Sequence, residues 1–282
     1  MLFSVPQSLN LDVTAIHSYP ALTVGLALFT FILLLLDVSS QFVLSNKFSL
    51  YPGAIGQFDL NRVSFYPLFH IGLFHWLLNI LSIFTPMAIF ERTHGTVYTG
   101  ITLNVIAVVA AIQFSLVGIF LYPQGHVVGL SGYAFTFFAW LAYKEHENQP
   151  KFVLYRNEGR EVSIPTIIAP VVFLFLCALL IPGSSFWGHL FGLTTGYLLG
   201  MDYLKVLYPP SKVILWIESK VGFLISKLDG IVVYYKEEDA VHARGVSYTP
   251  ILSEDIESAT TAVNTEDGSD ATFRGEGHVL GA

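Results

Sequence analysis

Ser131 is the residue of this sequence best placed to act as a nucleophile. It lies between glycines, in Gly129-Leu130-Ser131-Gly132, at the start of an uncharged apolar segment that ends at Tyr143. Glycine lets the backbone turn sharply, and the first N–H groups of a helix have no partner within that helix. A serine there could attack a carbonyl group while nearby N–H groups, that of Leu130 among them, bind the oxyanion. Taken alone, the tetrapeptide is more typical of helix packing in membranes than of catalysis.

His189 is the candidate base. It lies in Gly188-His189-Leu190-Phe191-Gly192, and Gly196 follows. On a helix Gly192 and Gly196 would fall within about 60° of His189. Such a glycine face lets a neighbouring helix approach until the imidazole reaches its partner. Alternatively, the glycines only pack two helices together and the histidine has no function there. A neutral histidine that takes the proton of Ser131 would form a Ser–His dyad for acyl transfer.

Three further polar residues, His70, His75 and Asn79, lie in one predicted membrane span. On a helix His75 and Asn79 are about 40° apart, so both can point into a site and bind an oxyanion. By the same arithmetic His70 lies on the opposite side and is predicted to anchor the adjacent loop. A metal site of His70, His75 and His189 is disfavoured, because no carboxylate or cysteine lies nearby in sequence. No metal and no other cofactor is predicted.

The elements that must position these residues are membrane spans. Hydrophobic residues make up 53% of the chain, charged residues 12%, and the mean hydropathy is +0.60. No Asp, Glu, Lys or Arg occurs between Arg92 and Lys144, or from Val162 to Met201. Each of these two segments can hold two spans of about 20 residues. The predicted fold class is therefore an all-α membrane protein, a bundle of six transmembrane helices.

The predicted organisation follows from the apolar segments. Residues 1–20 form an N-terminus, and residues 21–203 hold the six spans, with a charged loop at 144–164. No positively charged segment precedes the first apolar run, so a removable signal peptide is not expected. Six spans place both termini on one side, and the positive-inside rule places that side in the cytosol, with seven basic residues inside against two outside. The predicted spans are about 21–36, 65–90, 96–122, 128–143, 165–181 and 186–203.

Two predicted segments follow the spans. In residues 211–235, apolar residues recur at a spacing of three and four, which indicates an amphipathic helix on the cytosolic membrane surface. Four charges within residues 213–235 make a seventh span the weaker alternative. Residues 236–282 hold ten acidic and three basic residues, so the chain's net charge of −7 belongs to this segment, which is predicted to be disordered.

In combination, these motifs resemble those of the rhomboid family of intramembrane serine proteases. The matching features are His70-x4-His75-x3-Asn79, Gly129-x-Ser131-Gly132 and Gly188-His189-x2-Gly192-x3-Gly196, with Glu91-Arg92 and Gly95 at the end of the second span. The resemblance covers about residues 60–203. In its shorter local motifs the sequence is similar to the Golgi rhomboids of fungi. The chain departs from the family in lacking a Trp-Arg pair in its first loop and in having Met87 where a glycine is usual.

The resemblance implies an endopeptidase that cleaves transmembrane segments of membrane proteins within the bilayer. It implies a nucleophile, Ser131, a general base and acid, His189, and an oxyanion site of His75, Asn79 and Leu130. It further implies structural or loop anchors at His70, Glu91 and Arg92. The expected compartment is the Golgi membrane, with the endoplasmic reticulum or endosome as alternatives, and no nucleic acid partner is expected. The glycines predicted to pack helices are Gly129, Gly132, Gly188, Gly192 and Gly196.

Two other functions compete with proteolysis. A rhomboid-like pseudoprotease that delivers membrane proteins to an extraction ATPase keeps the fold and loses the nucleophile or the base, and here both are present. A transporter would carry inverted repeats and polar groups along a path. In this sequence the polar groups cluster at one predicted level, which favours the enzyme.

The end of the sequence carries one more motif. Residues 273–281 resemble the Phe-x-Gly-x-Gly-x-x-Leu box by which cofactors bind the N-terminal domain of valosin-containing protein, an AAA ATPase. Its residues here are Phe273, Gly275, Gly277 and Leu280. Two apolar anchors in an acidic tail, with glycines between them, are typical of a docked linear motif. The sequence therefore predicts an ATPase partner, with a chance match in a low-complexity end as the alternative.

Overall fold

The computed structural model describes residues 19–157, 160–228 and 230–243, and this part of the chain is mostly helical. The predicted ATPase-binding box lies outside the described residues. Two strands form one antiparallel hairpin, β1 (Lys151–Asn157) and β2 (Arg160–Pro165). The helices are α1 (Ala21–Ser39), α2 (Val43–Phe48), α3 (Leu60–Phe65), α4 (Leu73–His94), α5 (Thr96–Leu121), α6 (Ser131–Glu145), α7 (Ala169–Leu180), α8 (Phe186–Gly200), α9 (Ser211–Leu228) and α10 (Glu237–Ala243).

Six apolar helices, α1 and α4 to α8, follow the order of the predicted spans. Of these, α1, α4 and α5 are long and apolar enough to cross a membrane. By contrast, α6 and α8 contain 15 residues each and α7 contains 12. The helical, membrane-protein character of the chain is thus supported, and the number of six crossings stays a prediction.

The second predicted span begins later than expected. The sequence predicts it at about 65–90, but α4 begins at Leu73, after a short helix and a 3₁₀ turn at Tyr66–Leu68. Pro67 and Gly72 interrupt the helical path in this segment. His70 therefore lies before the helix, and the helical-wheel argument that placed it opposite Asn79 is wrong.

At the centre of the bundle, α6 packs most extensively against α8. A methyl group added to Gly192 would overlap the backbone of Gly132, and one added to Gly196 would overlap the backbone of Thr136. The hydroxyl of Thr136 donates to the carbonyl oxygens of Gly132, at 2.9 Å, and Gly192, at 2.8 Å, so a hydrogen bond crosses the contact. The two helices thus meet backbone to backbone, which only glycine allows.

Glu91, near the C-terminal end of α4, joins three helices. Its carboxylate is fully buried and accepts hydrogen bonds from the N–H groups of Leu22 and Thr23, at 2.9 and 2.8 Å. It also accepts from the hydroxyls of Thr23, at 2.8 Å, and Thr96, at 2.9 Å. The free N–H groups at the start of α1 are thereby satisfied by a side chain from α4. We call Leu22, Thr23, Glu91 and Thr96 the Glu91 network.

The charged segment 144–164, predicted as a loop, contains most of the β-hairpin. Its strands pair from Lys151 opposite Pro165 to Asn157 opposite Arg160, with an irregularity between Val153 and Tyr155. Val153, Tyr155 and Val162 favour extended backbone, and Arg160 and Glu161 of β2 are exposed. Charge alone suggests a loop, but charged residues are tolerated in a hairpin whose faces are open.

After α8 the chain returns to the Glu91 end of the bundle. The predicted helix at 211–235 ends at Leu228, and residues 233–235 then form backbone hydrogen bonds near the starts of α1 and α5. Val233 exchanges backbone hydrogen bonds with Tyr19 and Ala21, and the carbonyl of Tyr235 accepts from the N–H of Thr96 at 2.8 Å. The helix α10 then packs near Gly95, so the start of the segment predicted to be disordered is helical, and its residues 244–282 lie outside the described residues.

Candidate active site

Ser131 is the first residue of α6 and is half-buried. The turn before it depends on Gly129, whose φ of +108° lies in the region that favours glycine. The N–H of Gly129 donates to the carbonyl of Tyr66 at 3.0 Å, which holds this turn against the 3₁₀ segment. The sequence therefore presents the serine at a helix start, as its flanking glycines predict.

His189 lies in the first turn of α8, where only 6% of its surface is exposed. Ser185 caps this helix, since its side chain accepts from the N–H of Gly188 at 3.1 Å. The imidazole of His189 stacks on the ring of Phe135, with 4.7 Å between centroids and 27° between planes. Because Ser131 and Phe135 are four residues apart on α6, they share one face of that helix. His189 thus lies against the first turns of α6, on the side that carries Ser131.

Two glycines of the motifs have other contacts than those predicted. Gly129 lies in the turn rather than in a helix, so it does not pack helices together. A methyl group on Gly129 would lie 2.8 Å from Cε1 and 2.9 Å from Nε2 of His75, so the glycine makes room for that imidazole. A methyl group on Gly188 would lie 2.9 Å from Val127, in the segment before α6. The close contact between α6 and α8 belongs to Gly132, Gly192 and Gly196.

His75 and Asn79 lie one turn apart on α4, beside the turn that precedes Ser131. His75 is half-buried over Gly129. Asn79 is 4% exposed, and its side-chain amide donates to the carbonyl of His75 at 2.6 Å. An amide group carries two N–H bonds, so one donor of Asn79 remains for a ligand.

His70 is fully buried in the segment before α4. Its Nε2 accepts from the N–H of Leu130 at 3.4 Å, and its ring lies 5.2 Å from that of His75 at 63°. A contact of this kind ties the segment before α4 to the turn before α6. The Leu130 N–H, predicted to bind an oxyanion, is therefore directed at His70 in this structure.

The structure gives the ring of His189 no carboxylate partner among the described residues. Within the described residues Nδ1 of His189 is buried without a hydrogen-bond partner, so no carboxylate orients the ring. In the same part of the chain no hydrogen bond joins Ser131 to His189, and such bonds often form only when substrate is bound. No group of three His, Cys, Asp or Glu residues among the described ones is placed to hold a metal ion.

Three residues around the site were not singled out from the sequence. Phe135 stacks on His189, Tyr66 accepts from Gly129, and Gln113 of α5 bonds two threonines of α8. The helical spacing from Ser131 to Phe135 could have identified the first. Nothing in the sequence brings Tyr66 or Gln113 to its partners, because those contacts join distant parts of the chain.

Comparison with known proteins identifies the family. Residues 57–206 match the Rhomboid domain. "Rhomboid-type serine protease 2" of Debaryomyces hansenii is 56% identical over 272 residues, covering 96% of this chain and 95% of the relative. Proteins of the same name are 43% identical in Candida albicans, over 93% of this chain and 92% of the relative, and 41% identical in Saccharomyces cerevisiae, over 84% and 88%. The chain therefore belongs to the rhomboid family and is a serine protease of the membrane.

Proposed function

We propose that this protease cleaves transmembrane segments of membrane proteins with a catalytic dyad of Ser131 and His189. The observation that carries the proposal is the packing of His189 against Phe135, one helical turn from Ser131. The close approach of Gly192 to the backbone of Gly132 supports the proposed reach of the imidazole to the serine. Ser131 is only partly buried, so a substrate can reach it.

In the proposed reaction, neutral His189 takes the proton of Ser131 as its oxygen attacks the peptide carbonyl. The imidazolium then protonates the leaving amine, and water hydrolyses the acyl-enzyme with His189 again as the base. His75 and the second N–H of Asn79 stabilise the oxyanion from α4. The Leu130 N–H joins them by exchanging its long, 3.4 Å hydrogen bond to His70 for one to the oxyanion.

The substrate is proposed to be a transmembrane helix that unwinds locally, since a hydrogen-bonded helix hides its carbonyl groups from a nucleophile. In the proposed reaction, the unwound part of the substrate binds as an extended segment beside the turn at Gly129. Water must reach the same place for the second step. A membrane protein with helix-breaking residues near one end of its span meets the requirement.

The test uses purified full-length enzyme and a model transmembrane substrate in vesicles. Ser131→Ala and His189→Ala are each expected to abolish cleavage while the protein keeps its helical content and thermal stability. Ser219→Ala, on an exposed face of α9, is the matched serine control and should cleave normally. Full cleavage by Ser131→Ala would overturn the proposal.

The proposed setting is the Golgi membrane, with both termini in the cytosol. Seven basic residues against two support this orientation. We further propose that residues 273–281 recruit an AAA ATPase of the valosin-containing-protein type to deliver substrates or remove products. A peptide of this segment should bind the isolated N-terminal domain of the ATPase, and Phe273→Ala or Leu280→Ala should abolish binding. Equal binding by a scrambled peptide would exclude the partnership.

A further inference from the structure

A row of lysines and aromatic rings faces outward from α9. Relative to Trp216, the other four residues of this row lie within about 40° around the helix. Trp216 is 60% exposed and Phe223 77%. The Nζ atom of Lys220 lies 5.9 Å from the centre of the Trp216 ring, and that of Lys227 lies 5.2 Å from the centre of the Phe223 ring. We call Lys212, Trp216, Lys220, Phe223 and Lys227 the α9 stripe.

The opposite face of α9 is turned toward the protein. Ile214 is 1% exposed there, and α9 contacts α5 and α10. Glu218, the single acidic residue of α9, also lies on this side and accepts hydrogen bonds from the N–H of Glu237, at 3.0 Å, and the hydroxyl of Tyr234, at 3.2 Å. The apolar residues that predicted a membrane-facing surface are therefore partly used for packing within the protein.

The charges of α9 are segregated between these two faces. Its one carboxylate is bound inward, while Lys212, Lys220 and Lys227 are exposed. In the part of the chain that the structure describes, none of these three lysines forms an ion pair. The α9 stripe thus carries three positive charges and two large rings with no protein partner there.

We propose that the α9 stripe binds anionic phospholipid headgroups of the membrane leaflet at the Glu91 end of the bundle. Aromatic rings with a polar edge or a charged neighbour prefer the region between headgroups and acyl chains. Lysine stems lie along that region while their ammonium groups reach anionic lipids, which attract each lysine by about 1 kcal/mol. An acidic soluble protein would attract the lysines but would leave the rings between them without a role.

The position of α9 also supports binding of the α9 stripe to lipid headgroups. The chain reaches α9 directly from the end of α8 through Tyr203–Leu207, where Tyr203 is 68% and Val206 85% exposed. Exposed apolar side chains at the end of a membrane helix indicate contact with lipid. The stripe therefore begins next to a surface that already faces the bilayer. With the proposed orientation, this leaflet is the cytosolic one, where anionic lipids are concentrated.

The proposal can be tested by fluorescence of Trp216 in lipid discs that hold the full-length protein. Discs contain phosphatidylcholine with increasing phosphatidylserine, and a spin-labelled lipid carries its quencher at the headgroup level or in the middle of the acyl chain. Trp216→Phe gives the background from the other three tryptophans. Ser131→Ala can be the parent protein, so failure of the proposed proteolysis does not affect the measurement.

We expect headgroup-level quenching of Trp216 that increases with phosphatidylserine. Replacing one stripe lysine by glutamine should raise the phosphatidylserine needed for half-maximal quenching about fivefold. Lys220→Arg is the matched control, because it keeps the charge, and should titrate as the parent does. Absence of headgroup-level quenching in the anionic discs would overturn the proposal. The same titration for Lys220→Gln and Lys220→Arg would also overturn it and would point to the acidic tail or a second copy as the occupant.

Discussion

At one end of α4, the Glu91 network joins α1, α4 and α5 through a carboxylate that accepts four hydrogen bonds. Toward the other end, about 18 to 24 Å away along the helix, Asn79 and His75 lie beside a site where α6 and α8 meet through glycine backbones. In the first region the buried carboxylate is satisfied by two backbone N–H groups and two hydroxyls. The second leaves Nδ1 of His189 without a hydrogen-bond partner among the described residues.

This difference separates stability from reactivity. A buried carboxylate with all its donors in place stabilises the fold, because each donor would otherwise be left without a partner. A serine and a histidine held by backbone contacts, with few hydrogen bonds of their own, remain available to a substrate. We therefore expect changes at the Glu91 network to lower stability, and changes at the polar groups of the site to lower activity.

The largest effect is expected from Gly192→Ala, which should lower both stability and activity. Its methyl group would overlap the backbone of Gly132, which cannot move aside as a side chain could. We expect a loss of about 3 kcal/mol in the free energy of unfolding, the upper end for overpacking. Cleavage should fall about a hundredfold or more through misplacement of His189.

Gly25→Ala is the control for this change, because a methyl group on Gly25 meets no atom within 4 Å. Thermal unfolding and cleavage of the model substrate would be measured for both variants. Normal activity of Gly192→Ala would show that the close approach of α6 and α8 is not needed for catalysis.

Glu91→Ala should lower stability and spare the chemistry. The N–H groups of Leu22 and Thr23 and two hydroxyls would lose their acceptor, for an expected loss of about 2–3 kcal/mol. Cleavage per folded molecule, measured well below the midpoint of thermal unfolding, should stay near normal. Glu147→Ala, at an exposed carboxylate, should leave both properties unchanged. Lost cleavage at full stability would contradict the separation of the two regions.

Asn79→Ala, in contrast to Glu91→Ala, should lower cleavage and spare stability. We expect cleavage to fall about tenfold to a hundredfold, less than for the loss of an essential oxyanion donor, because backbone donors remain. The hydrogen bond from Asn79 to the His75 carbonyl joins groups of one helix, so its loss should cost little stability. Single-turnover rates and thermal unfolding would separate these outcomes. An unchanged rate would remove Asn79 from the oxyanion site.

The smallest effect concerns Glu218, on the same side as the Glu91 network. Burial raises the pKa of Glu218, against the lowering by its hydrogen bonds from Glu237 and Tyr234. A carboxyl group with a raised pKa in the folded state stabilises the fold below its unfolded pKa, and this contribution is lost as the pH rises through the folded pKa. The contact of α9 with α10 should therefore weaken slightly from acidic to neutral pH, by less than about 1 kcal/mol because solvent screens the group.

Hydrogen exchange of the backbone amide of Glu237, which donates to Glu218, would measure this contact once it is corrected for the intrinsic effect of pH. Glu218→Gln should remove the pH dependence. A dependence that persists in this variant would assign it to another group.

The family-level properties of this protein follow from its amino-acid sequence alone. Two long segments without charge predict membrane helices, and the motifs at His75, Ser131 and His189 resemble the rhomboid family in combination, although the motifs at Ser131 and His189 taken singly also fit helix packing. These properties depend on local composition and spacing, which a sequence contains directly. The same holds for the start of α6 at Ser131, where Gly129 ends the preceding turn.

The tertiary structure decided the contacts between distant segments. It placed His70 before α4, where its Nε2 meets the N–H of Leu130. It assigned Glu91 to the start of α1, 68 and 69 residues away in sequence. It also turned one face of α9 inward and left the lysines and aromatic rings outside. Periodicity shows which residues share a helix face, but which face is buried depends on the neighbours that folding supplies.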